Sequence, residues 1–184
     1  YWLGLSGDRL KAADCVFAGV ATAYVPSDKH PALVEALATG QDPDAAINDF
    51  AENLVAPLAD KAAEIENWFS DDDLTAIFAR LEADGSDQAT ALLANMKGKS
   101  PISMVVAARQ LAEGARLGFD DCMTLEYRLA RRFIEGKDFY EGVRAVIIDK
   151  DNDPKWGRGA IDDVTAEEVD AYFAPLDQEL AFLI

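Results

Sequence analysis

Signals for the start and the end of α-helices recur along almost the whole chain. These signals constrain the fold more than any other feature. Asp42-Pro43 and Ser100-Pro101 each place a capping side chain before a proline at the first helical position. Thr165 and Glu168 have the spacing of a capping box, and Gly85 follows an apolar stripe of helical period. Further helix starts are predicted at Asp8, Ser27 and Ser86. The sequence therefore predicts a mainly α fold of many short helices.

Residues 21–25 are the best candidate for a β-strand, because they include Thr, Tyr and Val and are followed by Pro26. A single strand would leave its backbone N–H and C=O groups unpaired. If it forms, it needs a partner upstream of Tyr1 or in another subunit. We therefore expect at most one short strand, near residues 21–25.

Acidic residues outnumber basic ones by two to one. The 34 Asp and Glu against 17 Lys and Arg give a formal charge of −17, which repels nucleic acid and anionic membrane surfaces. No run approaches the roughly 18 apolar residues of a membrane-spanning helix. Cys15 and Cys122 lie far apart within apolar helical patterns, which favours buried thiols in a reducing compartment over a disulfide scaffold. We expect neither a nucleic-acid nor a membrane partner.

Three local motifs suggest chemistry that their spacing does not support. Gly98-Lys99-Ser100 resembles the end of a phosphate-binding loop, but Leu93 stands where the first glycine is required. Residues 149–153 alternate oxygen ligands as a calcium loop does, but Pro154 replaces the glycine that the loop needs. His30 is the only histidine, so this chain alone cannot build a Ser-His-Asp triad or a multi-histidine metal site. We expect no metal site.

The arginines of one predicted helix leave two interpretations open. Arg128, Arg131 and Arg132 lie three and four residues apart and share one helix face. This face could meet a phosphate group, or it could pair with the abundant carboxylates nearby.

Two stretches resemble a known enzyme family. The more specific, DFYEGVRAVIIDKDNDPKW at residues 138–156, is similar to the C-terminal signature of 3-hydroxyisobutyryl-CoA hydrolases, a branch of the crotonase (enoyl-CoA hydratase/isomerase) superfamily. The other, LGLSGDRLKAAD at 3–14 with AGVAT at 18–22, resembles the helix after the catalytic core of crotonases, although Ser6 replaces the usual threonine. Ser100-Pro101 and residues 124–129 also fit the family in order and approximate spacing. The long helical middle region and the extension from Ile148 to Trp156 favour the hydrolase branch.

The resemblance implies that residues 1–26 form the end of a crotonase-like core and residues 27–184 a helical C-terminal region. In this family, paired backbone N–H groups polarise a CoA thioester while acidic side chains handle attack and proton transfer. The resemblance places these groups upstream of Tyr1, so no catalytic residue is assigned here, and Glu141 is expected to hold its helix in place. Related crotonases contact the nucleotide end of CoA through a lysine after this helix. Lys150 is the nearest match, displaced by about one residue.

The function implied is that of the C-terminal part of a 3-hydroxyisobutyryl-CoA hydrolase in valine catabolism. Two alternatives are an enoyl-CoA hydratase or isomerase of the same superfamily and a helical interaction module without catalysis. CoA would enter as part of the substrate, so no separate cofactor is expected. The chain would act in the bacterial cytoplasm or the mitochondrial matrix. Apolar helix faces that normally cover the catalytic core could join copies in a homo-oligomer, and residues 1–184 alone are expected to be inactive.

Overall fold

Helices make up the regular structure of this computed structural model, which describes residues 1–182. This described part contains eleven α-helices: α1 (Trp2–Ser6), α2 (Ala12–Phe17), α3 (His30–Ala38), α4 (Pro43–Phe50), α5 (Ala62–Trp68), α6 (Leu74–Asp84), α7 (Asp87–Lys97), α8 (Pro101–Gly114), α9 (Phe119–Glu135), α10 (Lys137–Val143) and α11 (Ala166–Phe173). Short 3₁₀ turns occupy Ser27–Lys29, Pro57–Lys61 and Ile161–Asp163. The predicted mainly α fold is confirmed.

The strand candidate at residues 21–25 forms neither a strand nor a helix, and no residue between 1 and 182 lies in a strand. The backbone carbonyls of this extended segment contact individual polar groups and not a neighbouring strand. The Tyr24 carbonyl accepts a hydrogen bond from the Glu52 backbone N–H at 2.9 Å. Nε2 of His30 lies 3.0 Å from the Val25 carbonyl oxygen. These contacts satisfy acceptors that a lone strand would leave unpaired.

Most of the predicted helix starts occur as expected. Side chains of Asp42, Ser86 and Ser100 accept hydrogen bonds from backbone N–H groups in the first turns of α4, α7 and α8. Two predicted starts were wrong. Helix α2 begins at Ala12 with no side-chain cap, so Asp8 lies outside it. Ser27 opens a 3₁₀ turn, and α3 follows it only at residue 30.

The chain divides into two compact units, one of residues 8–67 and the other of residues 1–7 together with 68 onward. The division expected at residue 26 stays a prediction. In the unit of residues 8–67, the Asp14 carboxylate accepts a hydrogen bond from the Leu58 backbone N–H at 2.9 Å, which ties α2 to a 3₁₀ turn. Lys29 pairs with Glu52 at 2.7 Å. Several large apolar side chains of this unit are exposed: Val16, Phe17, Val20, Val34, Leu37, Leu54 and Val55.

The other unit is built around two sets of buried side chains. Helices α6 and α7 pack together and bury Ile77, Leu81 and Met96, and α1 adds Leu5 beside α7 and α8. A second cluster joins α8, α9 and α11 through Val106, Leu125, Leu129, Val169 and Phe173. Burying these aliphatic and aromatic groups stabilises the unit through the hydrophobic effect. The helix that carries the family signature, α10, packs on α9.

Bilayer crossing requires a long, apolar helix. Among the helices described between residues 1 and 182, none has that combination of length and apolar character.

Candidate functional site

The end of α10 and the loop that follows it form a dense polar cluster. Helix α10 continues into a π-helical turn at Arg144–Ile148, a wider turn that is frequent at functional sites. The chain then folds back, and the Asn152 backbone N–H donates to the Ala145 carbonyl at 3.0 Å. Lys150 and Asn152 have φ angles of 55° and 53°, in the left-handed region. We call residues 149–156 the signature loop.

Arg144 is the centre of this cluster. Its Nε and Nη2 atoms donate to the two carboxylate oxygens of Glu141 at 3.0 and 2.8 Å, in a bidentate ion pair. Its Nη1 atom donates to Asp149 at 2.7 Å and to Asp151 at 2.6 Å. Nη2 also donates to the backbone carbonyl of Asp153 at 3.2 Å. One guanidinium group therefore joins the last helical turns to the signature loop, a geometry for which the planar fork of arginine is suited.

The ionisation of the cluster follows from these contacts. Hydrogen bonds from Arg144, and then from the Lys155 backbone N–H at 2.6 Å, lower the pKa of Glu141 to about 2. Hydrogen bonds to Glu141 and then to Asp151 raise the pKa of Arg144. The Arg144 hydrogen bond lowers the pKa of Asp151. At neutral pH Glu141 is thus a weak base, and its ion pair with Arg144 joins α10 to the π-helical turn.

Lys150 lies at the exposed turn of the signature loop. It follows Asp149, the residue that caps the end of the π turn, at a place where a left-handed residue often ends a helix and glycine is usual. Its ammonium group forms no ion pair with any residue between 1 and 182. The flanking carboxylates of Asp149 and Asp151 instead bind Arg144. The side chain is therefore available to an anion outside the chain, and contact with CoA stays a prediction.

A cleft of about 420 Å³ opens beside the signature loop. Its walls come from the start of α8, from α9 and α10, and from the loop, and include Lys99, Ser103, Phe139, Val146, Asn152 and Trp156. The cleft is lined by aromatic and aliphatic side chains with a few polar groups, as small-molecule sites usually are.

Three hydrogen bonds between distant residues fix the cleft and the loop. The Trp156 indole N–H donates to the Gly98 carbonyl at 2.9 Å. Asp138 accepts from the Ser100 hydroxyl at 2.5 Å and from the Gly157 backbone N–H at 2.9 Å. The start of α10 and the end of the signature loop are both attached in this way to the segment between α7 and α8.

The sequence did not single out Arg144. The available signal was an arginine three residues after Glu141, which allows pairing along a helix, followed by acidic residues at 149, 151 and 153. Nothing in that pattern shows that the loop reverses. The contact of Ser100 with Asp138 was also missed, because it joins residues 38 positions apart.

The other candidate motifs have structural partners. Arg128 pairs with Glu179 at 2.8 Å, and Arg131 and Arg132 lie 3.8 and 3.9 Å from Glu135, so the basic face meets carboxylates. Ser100 in the Gly-Lys-Ser motif caps α8. Cys15 and Cys122 are free thiols, as expected, but both are partly buried where buried thiols were predicted.

The calcium-like segment at residues 149–153 uses the side chains of Asp149 and Asp151 to bind Arg144. Over the described residues, no group of three His, Cys, Asp or Glu side chains is arranged to hold a metal ion.

Comparison with protein families places these features in context. A family model described as "Enoyl-CoA hydratase/isomerase" matches residues 1–173. The mitochondrial 3-hydroxyisobutyryl-CoA hydrolase of Xenopus tropicalis is 37% identical over 186 residues, which cover 95% of this chain and 48% of that protein. The human counterpart is 36% identical over 193 residues, covering 96% and 48%. The chain thus spans about half the length of the curated relatives it matches.

Solved structures show the same relationship. A carnitinyl-CoA dehydratase from Mycobacterium thermoresistibile is 32% identical with a TM-score of 0.85, covering 97% of this chain and 52% of that one. An enoyl-CoA hydratase from Rhodobacter sphaeroides 2.4.1 is 37% identical with a TM-score of 0.82, covering 98% and 53%. Both similarities extend over almost all of the helical structure described above.

Proposed function

Because this chain belongs to the enoyl-CoA hydratase/isomerase family, we propose that it forms the C-terminal helical part of a CoA-thioester hydrolase acting on 3-hydroxyisobutyryl-CoA. The observation that carries the proposal is the similarity to hydrolases of that name over 95% of the chain, which includes the signature loop. The test is incubation of the full-length protein with 3-hydroxyisobutyryl-CoA, with the products identified by mass spectrometry. Free CoA and 3-hydroxyisobutyrate support the proposal, and unchanged thioester contradicts it.

Within such an enzyme, the signature loop contacts the nucleotide end of CoA through Lys150. The support is geometric, because the ammonium group is exposed and its acidic neighbours are bound to Arg144. Lysine offers a flexible point charge, and the nucleotide end of CoA carries several phosphate groups. The adjacent cleft has room for part of the same ligand. CoA arrives as part of the substrate, and no resident cofactor is proposed.

A second candidate is hydration or isomerisation of an enoyl-CoA. The names of the two solved structures, a dehydratase and a hydratase, favour it. The helical part does not decide between the reactions, because both begin with polarisation of the thioester carbonyl.

The catalytic groups are proposed to lie in the half of the family fold that these residues do not match. Purified residues 1–184 should therefore show no thioesterase activity. In isolation they would behave as a helical module without catalysis. Measurable thioester cleavage by this chain alone would overturn that part of the proposal.

The partner and the compartment follow from the same reasoning. Exposed apolar side chains, such as Phe17 and Val34 in one unit and Phe119 and Ile148 in the other, are proposed to be covered in the full protein or by a second copy. Neither nucleic acid nor a membrane is proposed as a partner. The curated relatives are named as mitochondrial. The compartment proposed is the mitochondrial matrix in a eukaryote and the cytoplasm in a bacterium.

A further inference from the structure

Lys150 lies in a run of sequence that is poorly suited to binding an anion. Asp149 and Asp151 are its immediate neighbours, and Asp153 follows two residues later. Unpaired carboxylates in this position would attract the Lys150 ammonium group and repel phosphate. The loop can present a positive charge to a ligand only if these carboxylates have other partners.

The structure gives each of these carboxylates another cation. Arg144 Nη1 binds Asp149 at 2.7 Å and Asp151 at 2.6 Å. Lys155 Nζ pairs with Asp153. Nε and Nη2 of Arg144 bind Glu141, which fixes the guanidinium plane to the last turns of the helix. Of the two lysines in the signature loop, Lys150 is the one that forms no ion pair with residues 1–182.

The backbone supports the same arrangement. Lys150 adopts a left-handed conformation with φ of 55°, which costs a side chain other than Gly about 1–2 kcal/mol. The hydrogen bond from the Asn152 backbone N–H to the Ala145 carbonyl and the bonds from Arg144 hold the loop in this reversal. Within this reversal Lys150 is exposed.

We propose that Arg144 is a positioning residue for binding the phosphates of CoA, because it occupies the two carboxylates beside Lys150 and so keeps that ammonium group free for the ligand. This inference rests on the proposed contact between Lys150 and the nucleotide end of CoA. Arg144 itself does not touch the ligand. Its effect is on affinity for the phosphate-bearing part of the substrate and not on the chemical step.

The test measures binding of two probes to the full-length protein by isothermal titration calorimetry. Coenzyme A carries the nucleotide phosphates, and pantetheine has the thiol arm without them. Lys150→Gln and Arg144→Gln should each weaken coenzyme A binding about three- to tenfold, the range of one partly exposed charge contact. Pantetheine binding should not change. Because both changes act on one contact, the double variant should bind coenzyme A no more weakly than the weaker single variant.

Arg131→Gln is the matched control. It removes an exposed arginine of α9 whose ion pair with Glu135 is long, at 3.8 Å. It should leave the affinity for both probes unchanged. If Lys150→Gln binds coenzyme A normally, the proposed contact fails and the inference fails with it. If Lys150→Gln weakens binding but Arg144→Gln does not, only the inference about Arg144 is wrong.

A second variant distinguishes two roles of Arg144, keeping negative charge from Lys150 and supporting the loop structurally. It tests the proposal even if Arg144→Gln does not fold. The double change Asp149→Asn and Asp151→Asn removes the carboxylates that Arg144 occupies. If Arg144 serves to keep these charges from Lys150, coenzyme A should bind as tightly as before or more tightly. Weaker binding by this variant would show that the ion pairs only support the loop, and it would overturn the proposal.

Discussion

The indole N–H of Trp156 donates to the backbone carbonyl of Gly98 at 2.9 Å, which joins residues 58 positions apart. This bond attaches the end of the signature loop to the end of α7. Trp156 also lies against Gly142 of α10, where an added Cβ would meet the indole ring at 3.5 Å. One side chain therefore holds the loop against two helices, which makes it a sensitive position for testing the architecture.

Replacing Trp156 by Phe should lower the free energy of unfolding by at least about 0.5–1.5 kcal/mol, because the indole N–H and its hydrogen bond are lost and the smaller phenyl ring also loses part of the packing. Urea unfolding of the 184-residue chain, followed by far-ultraviolet circular dichroism, measures the change. Tyr140→Phe, at an exposed ring of α10, is the control. An unfolding free energy equal to that of the unaltered protein would contradict the role of the bond.

Ser100→Ala should destabilise the protein more than Ser86→Ala does. Both hydroxyl groups cap a helix, at 3.3 and 3.2 Å from a backbone nitrogen, and loss of a cap costs about 0.5–2 kcal/mol. Ser100 is also buried and donates to the Asp138 carboxylate at 2.5 Å, and a bond to a charged group adds about 1.5–3 kcal/mol. Comparison of the two unfolding curves tests this, and equal losses would contradict the second role of Ser100.

Stability should fall in acid as the Glu141 ion pair is lost. The pKa of Glu141 in the folded protein is lowered from 4.5 to about 2 by Arg144 and the Lys155 backbone N–H. A lowered folded-state pKa gives stability that is fully present above the unfolded value and disappears as the pH falls towards the folded value. The contribution should therefore be constant above about pH 5.5 and should decline between pH 4.5 and 2.

Urea midpoints measured across this pH range check the prediction. Glu141→Gln should flatten the decline, whereas Glu126→Gln, at an exposed residue of α9, should leave it as steep as in the unaltered protein. Identical acid profiles for the Glu141 variant and the unaltered chain would show that the ion pair makes no contribution.

The parts of the fold that local chemistry determines could be predicted from the sequence. Caps at Asp42, Ser100 and Thr165 depend on neighbours within three residues, and all three side chains accept the expected hydrogen bonds. The start expected at Asp8 was wrong, because helix α2 begins only at Ala12. A capping residue before an apolar stripe predicts that a helix lies nearby, but it does not predict reliably at which residue the helix begins.

The candidate site could be predicted less completely. The family signature located the segment and the resemblance selected Lys150, but neither indicated that Arg144 binds both neighbouring carboxylates. That arrangement needs a chain reversal through left-handed backbone at Lys150 and Asn152. Asparagine adopts the left-handed conformation more often than most residues, so Asn152 could have suggested a turn. A lysine in the sequence does not indicate that conformation. The contact between Ser100 and Asp138 depends on packing between distant helices, which no local pattern encodes.

We propose that these helices serve an enzyme that hydrolyses a CoA thioester. The most direct measurement compares two rates for the full-length protein, the release of free thiol from 3-hydroxyisobutyryl-CoA and the hydration of an enoyl-CoA. We expect rapid thiol release with little or no hydration. Hydration without thiol release would contradict it and would support the hydratase instead.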